Sequence, residues 1–134
     1  KKRSMQRSSK FDVNEKLLFH GTKPDVVNPI LHQGLDMRLV ENGLYGDGCY
    51  FATESRISDG YTVADQDGFR YMFVCKVLVG KYTEGTPKMK KPPPIDPRDP
   101  NIMYDSAVNC EDRPNIFIIF DNSQCYPEYL ITYV

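Results

Sequence analysis

The chain has 134 residues, 40% of them apolar and 26% charged, and a net charge of −1. That length fits one domain around one core, and the charge balance excludes a strong electrostatic hold on nucleic acid or membrane. No run of about 18 apolar residues predicts a membrane-spanning helix, and the N-terminus carries no secretory signal pattern. Cys49, Cys75, Cys110 and Cys125 form no C-x-x-C pair, and His20 and His32 complete no zinc spacing. The expectation is a reduced, metal-free domain in an intracellular setting, cytoplasmic or nuclear. A disulfide framework is the lesser alternative.

Residues 1–10 are basic and polar, and residues 1–14 read as a solvated leader or the end of an upstream helix. Their few cations make a weak case for a nucleic-acid arm. Leu17-Leu18-Phe19 then runs straight into His20-Gly21-Thr22, a short buried strand opening into a turn. A polar ring at a strand end, beside a glycine that admits a ligand to the backbone, suits a small-molecule contact; the bland alternative is a structural histidine. Thr22 is a good N-cap type ahead of Pro24. Val26, Val27, Ile30 and Leu31 share one helical face, and Gly34 suits the helix end. Pro29 inside that pattern predicts a kink or two short pieces, and His32 near the helix end reads as structural.

Residues 35–44 form a polar connector whose Arg38 suits either an anionic ligand or open solvent. Tyr45-Gly46-Asp47-Gly48 supplies a tight turn into a strand over residues 49–52. This is not a G-x-G-x-x-G fingerprint, so a Rossmann dinucleotide site is disfavoured. Thr53 is placed to cap a short helix over residues 54–59 that delivers Ser58 and Tyr61.

Residues 71–80 are almost continuously apolar and predict the central strand, with residues 81–83 as its extension. Residues 87–100 hold most of the prolines and predict an irregular surface loop. A short edge is expected within residues 104–109, a second buried strand over 115–120, a turn at 121–123 and a closing strand over 128–134. Strands outweigh helices and no crossover helix joins the last two apolar strands, which predicts an α+β domain with an antiparallel or mixed sheet.

Taken together, five collinear stretches carry a resemblance: Leu18-Phe19-His20-Gly21-Thr22, Tyr45-Gly46-Asp47-Gly48-Cys49-Tyr50-Phe51-Ala52, Ser58-Asp59-Gly60-Tyr61, Val77-Leu78-Val79-Gly80 and Tyr126-Pro127-Glu128-Tyr129-Leu130-Ile131-Thr132. They resemble the catalytic domain of the poly(ADP-ribose) polymerase (PARP) superfamily, most closely its mono-ADP-ribosylating members, over residues 15–134. The resemblance implies an ADP-ribosyltransferase fold of the diphtheria-toxin-like kind, two small mainly antiparallel sheets around an NAD cleft. The N-terminal part of the family domain is missing by this reading. It implies NAD as co-substrate without a metal, protein acceptors, and inhibition by nicotinamide mimics; nucleic-acid ends stay open as acceptors.

By the same resemblance His20 binds the adenosine ribose hydroxyls, and the Gly21 backbone with the Ser58 hydroxyl holds the nicotinamide carboxamide. Tyr61 stacks on the nicotinamide ring, Tyr50 packs along the other side, and Thr22, Arg38, Tyr45 and Ala52 complete the pocket. The chemistry agrees: a flat ring suits flanking tyrosines, and a primary amide needs a donor and an acceptor. Core aromatics are the alternative for Tyr50 and Tyr61. Polymerising members place a Glu where Ile116 stands here, giving His20, Tyr50 and Ile116 as the triad. Breaking the nicotinamide–ribose bond builds positive charge on the sugar, and a Glu there activates an incoming sugar hydroxyl. Isoleucine cannot, so transfer of a single ADP-ribose unit is expected, with the acceptor bringing its own nucleophile. Glu128 is assigned to structure or surface. Asp47, where many members have Lys, is expected to alter the charge of the pocket rim, and the connector on the acceptor side is short. The competing reading is a pseudo-enzyme that keeps the pocket as a binding module.

Overall fold

The computed structural model describes residues 14–36 and 43–134. In chain order the elements are β1 (Glu15–Thr22), α1 (Pro24–Gln33), β2 (Cys49–Ala52), α2 (Ser55–Asp59), β3 (Arg70–Leu78), β4 (Tyr82–Glu84), β5 (Pro94–Asp96), β6 (Asp99–Met103), β7 (Ser106–Val108), β8 (Ile116–Ile119) and β9 (Cys125–Tyr133). Seven strands form one sheet in the order β4-β7-β8-β2-β1-β3-β9, while β5 and β6 pair as a separate hairpin. Every pairing is antiparallel except β4 with β7.

The seven-stranded sheet is nearly divided in the middle. β1 pairs with β3 along its full length, and β2 pairs with β8 along its full length. β1 and β2 meet only at Phe19 and Ala52. Beyond that pair the two halves diverge, and the divergence makes room for a pocket.

The main core cluster lies on one face of this sheet. Leu18, Phe51, Phe73, Cys75, Val77, Phe117 and Ile119 are buried together with Val27 and Ile30 of α1 and with Leu35. On β3 the alternation is visible directly: Phe73, Cys75 and Val77 are buried, whereas Lys76 between them is exposed. Each fully buried aliphatic or aromatic side chain here stabilises the fold by roughly 1.5–3 kcal/mol.

Several expectations change on folding. Thr22 ends β1 instead of capping α1; Lys23 occupies the cap position without capping the helix through its side chain, and Pro24 opens the helix. α1 continues through Pro29 as one helix. The ring costs only the bond to Asp25, and both residues are exposed, so water can serve the carbonyl. Gly34 closes the helix at φ +78, its N–H on the Ile30 carbonyl at 2.8 Å, and His32 Nδ1 donates to the Asn28 carbonyl at 2.8 Å. Thr53 does not cap α2, because its N–H donates to the Asn115 carbonyl at 3.0 Å and prolongs the β2–β8 ladder. The cap position falls on Glu54 and the helix starts at Ser55.

Residues 81–83 do not extend β3. Gly80, at φ +58, turns the chain, and β4 crosses to the far edge of the sheet beside β7. β7 is no edge: it lies between β4 and β8, with Ser106, Ala107 and Val108 wholly buried. The Ser106 hydroxyl is satisfied there by donating to the Val79 carbonyl at 2.8 Å. The proline-rich segment is not wholly irregular either. It contains β5 and enters β6, a two-stranded hairpin in which each strand has a free edge for its prolines. β9 starts earlier than residue 128 and closes the sheet against β3, with an irregularity opposite Val74 and Cys75. Glu128 sits at that irregularity and pairs with Lys76 at 3.2 Å, the structural role expected of it.

Candidate active site

The pocket between the diverging halves has a volume of about 330 Å³. One wall is the end of β1, with His20, Gly21 and Thr22; the opposite wall is the turn over residues 43–48 with Cys49 and Tyr50. α1 contributes Val26 and Ile30 from a third side, and Tyr61 stands at the open end.

His20 is fixed by the strand it faces. Its Nδ1 lies 2.9 Å from the Tyr50 carbonyl, which only accepts, so Nδ1 carries the proton. In the neutral ring Nε2 is then an acceptor. The ring leans on Phe51 at 5.3 Å between centroids, and Cys49 Sγ approaches Nδ1 at 3.5 Å and Nε2 at 4.0 Å. Burial, followed by the fields of Cys125 and Cys75, pushes the Cys49 thiol well above its ordinary range. The Cys49–His20 contact packs the pocket wall.

Tyr50 uses its hydroxyl twice. It donates to the Gly46 carbonyl at 2.8 Å and accepts the Tyr45 N–H at 3.1 Å, tying the 43–48 turn to the strand that follows it. A Cβ on Gly43 would lie 2.1 Å from that hydroxyl oxygen, so only glycine fits. Burial is the main cause that raises the Tyr50 phenol above its usual value, which keeps it a donor. Its ring faces Tyr61 with centroids 6.0 Å apart and planes inclined by 45°.

The opposite wall is assembled by close backbone approach. A Cβ on Gly21 would lie 2.0 Å from the Ser58 carbonyl oxygen. The turn after α2 therefore rests on the β1 backbone where no side chain intervenes. Ser58 is 2% exposed and its hydroxyl donates to the Phe19 carbonyl at 2.9 Å. That bond staples α2 to β1, and Ser58 lies behind the pocket wall.

The expected site residues thus separate into groups. His20, Gly21, Thr22, Tyr45, Tyr50 and Tyr61 line the pocket. Ser58 stands one layer back. Ala52 is 2% exposed and pairs with both Phe19 and Ile116, so it belongs to the seam of the sheet and not to the wall. Ile116 is half-buried at the start of β8, off the wall, its N–H held by Asn109 Oδ1 at 3.2 Å. Arg38 lies outside the described residues. Asp47 is not in the wall itself: its N–H donates to the Met89 carbonyl at 2.7 Å and its carboxylate meets Lys90 at 3.4 Å, while its charge adds to the rise of the neighbouring Tyr50 phenol. The α1 side of the pocket was not foreseen. Its residues read as ordinary core, because periodicity shows that a face is apolar and not what covers it. All four cysteines are free thiols.

The sequence model described as the poly(ADP-ribose) polymerase catalytic domain matches residues 1–96. Protein mono-ADP-ribosyltransferase PARP12 of Mus musculus is 39% identical over 124 residues, 91% of this chain and 17% of that protein. Protein mono-ADP-ribosyltransferase PARP14 of Homo sapiens is 35% identical over 137 residues, covering 99% of this chain and 8% of its own length. For PARP11 of Mus musculus, also named a protein mono-ADP-ribosyltransferase, the figures are 34% over 142 residues, 90% of this chain and 43% of that protein. The chain spans less than half the length of each of these relatives. It belongs to the poly(ADP-ribose) polymerase catalytic-domain family.

Proposed function

We propose that this chain is the catalytic unit of an NAD-dependent mono-ADP-ribosyltransferase acting on protein. The observation that carries the reading is the convergence of His20, Gly21, Tyr50 and Tyr61 on one pocket at the split of the sheet. The names of its relatives support transfer of a single unit. By the same reading, the divided sheet is the diphtheria-toxin-like arrangement, and the setting is intracellular, cytoplasmic or nuclear.

NAD supplies an activated ribose, whose bond to a neutral departing nicotinamide breaks as positive charge builds on the sugar. His20 holds the adenosine ribose through Nε2, an acceptor while Nδ1 donates to the Tyr50 carbonyl. The Gly21 backbone, with Ser58 behind it, receives the carboxamide. Tyr50 and Tyr61 take the flat ring between them. Two parallel rings need about 7 Å between them to admit a third, so from 6.0 Å and 45° the exposed Tyr61 swings outward while Tyr50 stays fixed. Nicotinamide mimics such as benzamides fit the same slot.

Ile116 stands in the cross-strand row with Ala52 and Phe19. It offers neither an acceptor for a ribose hydroxyl nor a base, so the protein acceptor brings the nucleophile, as a carboxylate does, and elongation stops after one unit. The test is intact-mass spectrometry after incubation with NAD. The expected result is discrete single ADP-ribose additions to the parent chain or an added acceptor protein, none with His20→Ala, and a changed turnover or product length with Ile116→Glu. NAD binding without any adduct in the parent favours the pseudo-enzyme instead.

A further inference from the structure

The turn that carries Tyr61 is weakly built in itself. α2 has five residues and no side-chain cap, and Tyr61 is 40% exposed. Its steadiness comes from the far side of the sheet. Arg70 opens β3, and Tyr133 stands opposite it in β9. Arg70 Nη1 donates to the Thr62 carbonyl at 3.1 Å and to Thr62 Oγ1 at 3.0 Å. Thr62 Oγ1 in turn donates to the Asp59 carbonyl at 2.8 Å, and the Tyr133 hydroxyl donates to the Asp59 carboxylate. These bonds seize the turn at residues 59 and 62, on either side of Tyr61. From the other direction Gly21 receives it, with the sites for a Cβ taken by the Ser58 carbonyl and, at 3.0 Å, by Thr62 Cγ2.

We propose that Arg70 and Tyr133 are positioning residues, a clamp that presses the Tyr61 turn onto Gly21 and thereby sets the affinity of the ring-stacking subsite. Neither residue lines the pocket. The proposal deepens the NAD reading and rests on it for the identity of the stacked ring; the clamp itself stands on geometry alone. It also gives the last strand a role at the site: the chain's closing residues fix a loop over seventy positions earlier. Burial and the Asp59 bond both raise the Tyr133 phenol, so it remains a donor across the working pH range.

The experiment uses the full chain with Tyr133→Phe and Arg70→Met, and with Tyr126→Phe as control, an exposed tyrosine at the other end of the same strand. Two quantities are read: benzamide affinity, and amide hydrogen exchange at Tyr61 and Thr62, whose N–H groups donate to Ser58 and Asp59 carbonyls. The expected result is a three- to tenfold loss of benzamide affinity in each clamp variant, about the range of one hydrogen bond. Exchange at Tyr61 and Thr62 speeds up while Phe73 in mid-β3 is unchanged, and Tyr126→Phe matches the parent. Unaltered exchange at the two turn amides overturns the clamp, as does equal weakening by Tyr126→Phe. A parent chain that binds no benzamide overturns the NAD reading instead, and the exchange data still decide the clamp. Tyr133→Phe deletes one oxygen from a partly exposed site, so it carries the test if Arg70→Met does not fold.

Discussion

Tyr50 and Tyr61 face the same pocket and are held in opposite ways. Tyr50 sits in a strand whose register with β8 is set residue by residue, and its own hydroxyl binds the 43–48 turn at two points. Tyr61 sits on an exposed turn that is fixed second-hand, through Asp59 and Thr62, by residues of β3 and β9. One wall is therefore rigid because of the functional residue, and the other is steady in spite of it. On the proposed reading, a flat ring would find a fixed reference in Tyr50 and an adjustable face in Tyr61.

The comparison breaks most completely at Gly21. Gly21→Ala places a methyl group 2.0 Å from the Ser58 carbonyl oxygen and drives the Tyr61 turn off β1. Transferase activity is expected to fall by more than about 100-fold while the sheet stays intact, which NAD turnover beside circular dichroism will check. Tyr50→Phe should cost about 1–3 kcal/mol of stability in denaturant titration, since a half-buried carbonyl and N–H lose their shared partner. Activity should drop with it, because the released turn carries Tyr45. Tyr61→Ala inverts the pattern. Stability should change by less than about 0.5 kcal/mol, whereas benzamide affinity should fall roughly tenfold with the lost stacking surface. Equal stability losses at the two tyrosines would abolish the distinction drawn between the walls.

Smaller effects sharpen it. In the native chain iodoacetamide should label exposed Cys110 rapidly and leave Cys49 and Cys75 untouched until the protein unfolds, with Cys125, its thiol pushed up to about 12, slow. Mass mapping of the labelled thiols decides this, and early labelling of Cys49 would mean that the pocket wall opens. The loop leading into Arg70 adds a modest acid sensitivity. The bond from the Tyr71 hydroxyl, then those from backbone N–H groups, lower the Asp65 carboxyl below its ordinary value of 3.8. A carboxyl lowered in the folded state contributes stability that is complete above its unfolded value and is lost as pH falls through the folded one. Melting temperature should therefore lose less between pH 5 and pH 3 in Asp65→Asn than in the parent.

The sequence by itself determined the pieces that depend on local pattern. Leu17-Leu18-Phe19 and residues 71–78 had to be strands, residues 49–52 had to follow a tight turn, and the five short motifs identified the family before any coordinate. Part of the pocket was legible for the same reason: His20, Gly21, Tyr50 and Tyr61 lie inside those motifs. What the motifs omit are residues that act across the sheet. Nothing near Ser58 announced that its hydroxyl would be spent on the Phe19 carbonyl, nor did the neighbours of Asp47 indicate that its carboxylate would meet Lys90. Ser106-Ala107-Val108 looked like an edge because small residues carry little hydrophobic signal, yet it fills the interior between β4 and β8. Strand order, the single β1–β2 contact that opens the pocket, and the reach of Arg70 and Tyr133 to the Tyr61 turn were decided only by the tertiary structure. Local propensity fixes what a segment becomes; which edges and which faces it meets depends on contacts between residues far apart in the chain, and no window of sequence contains them.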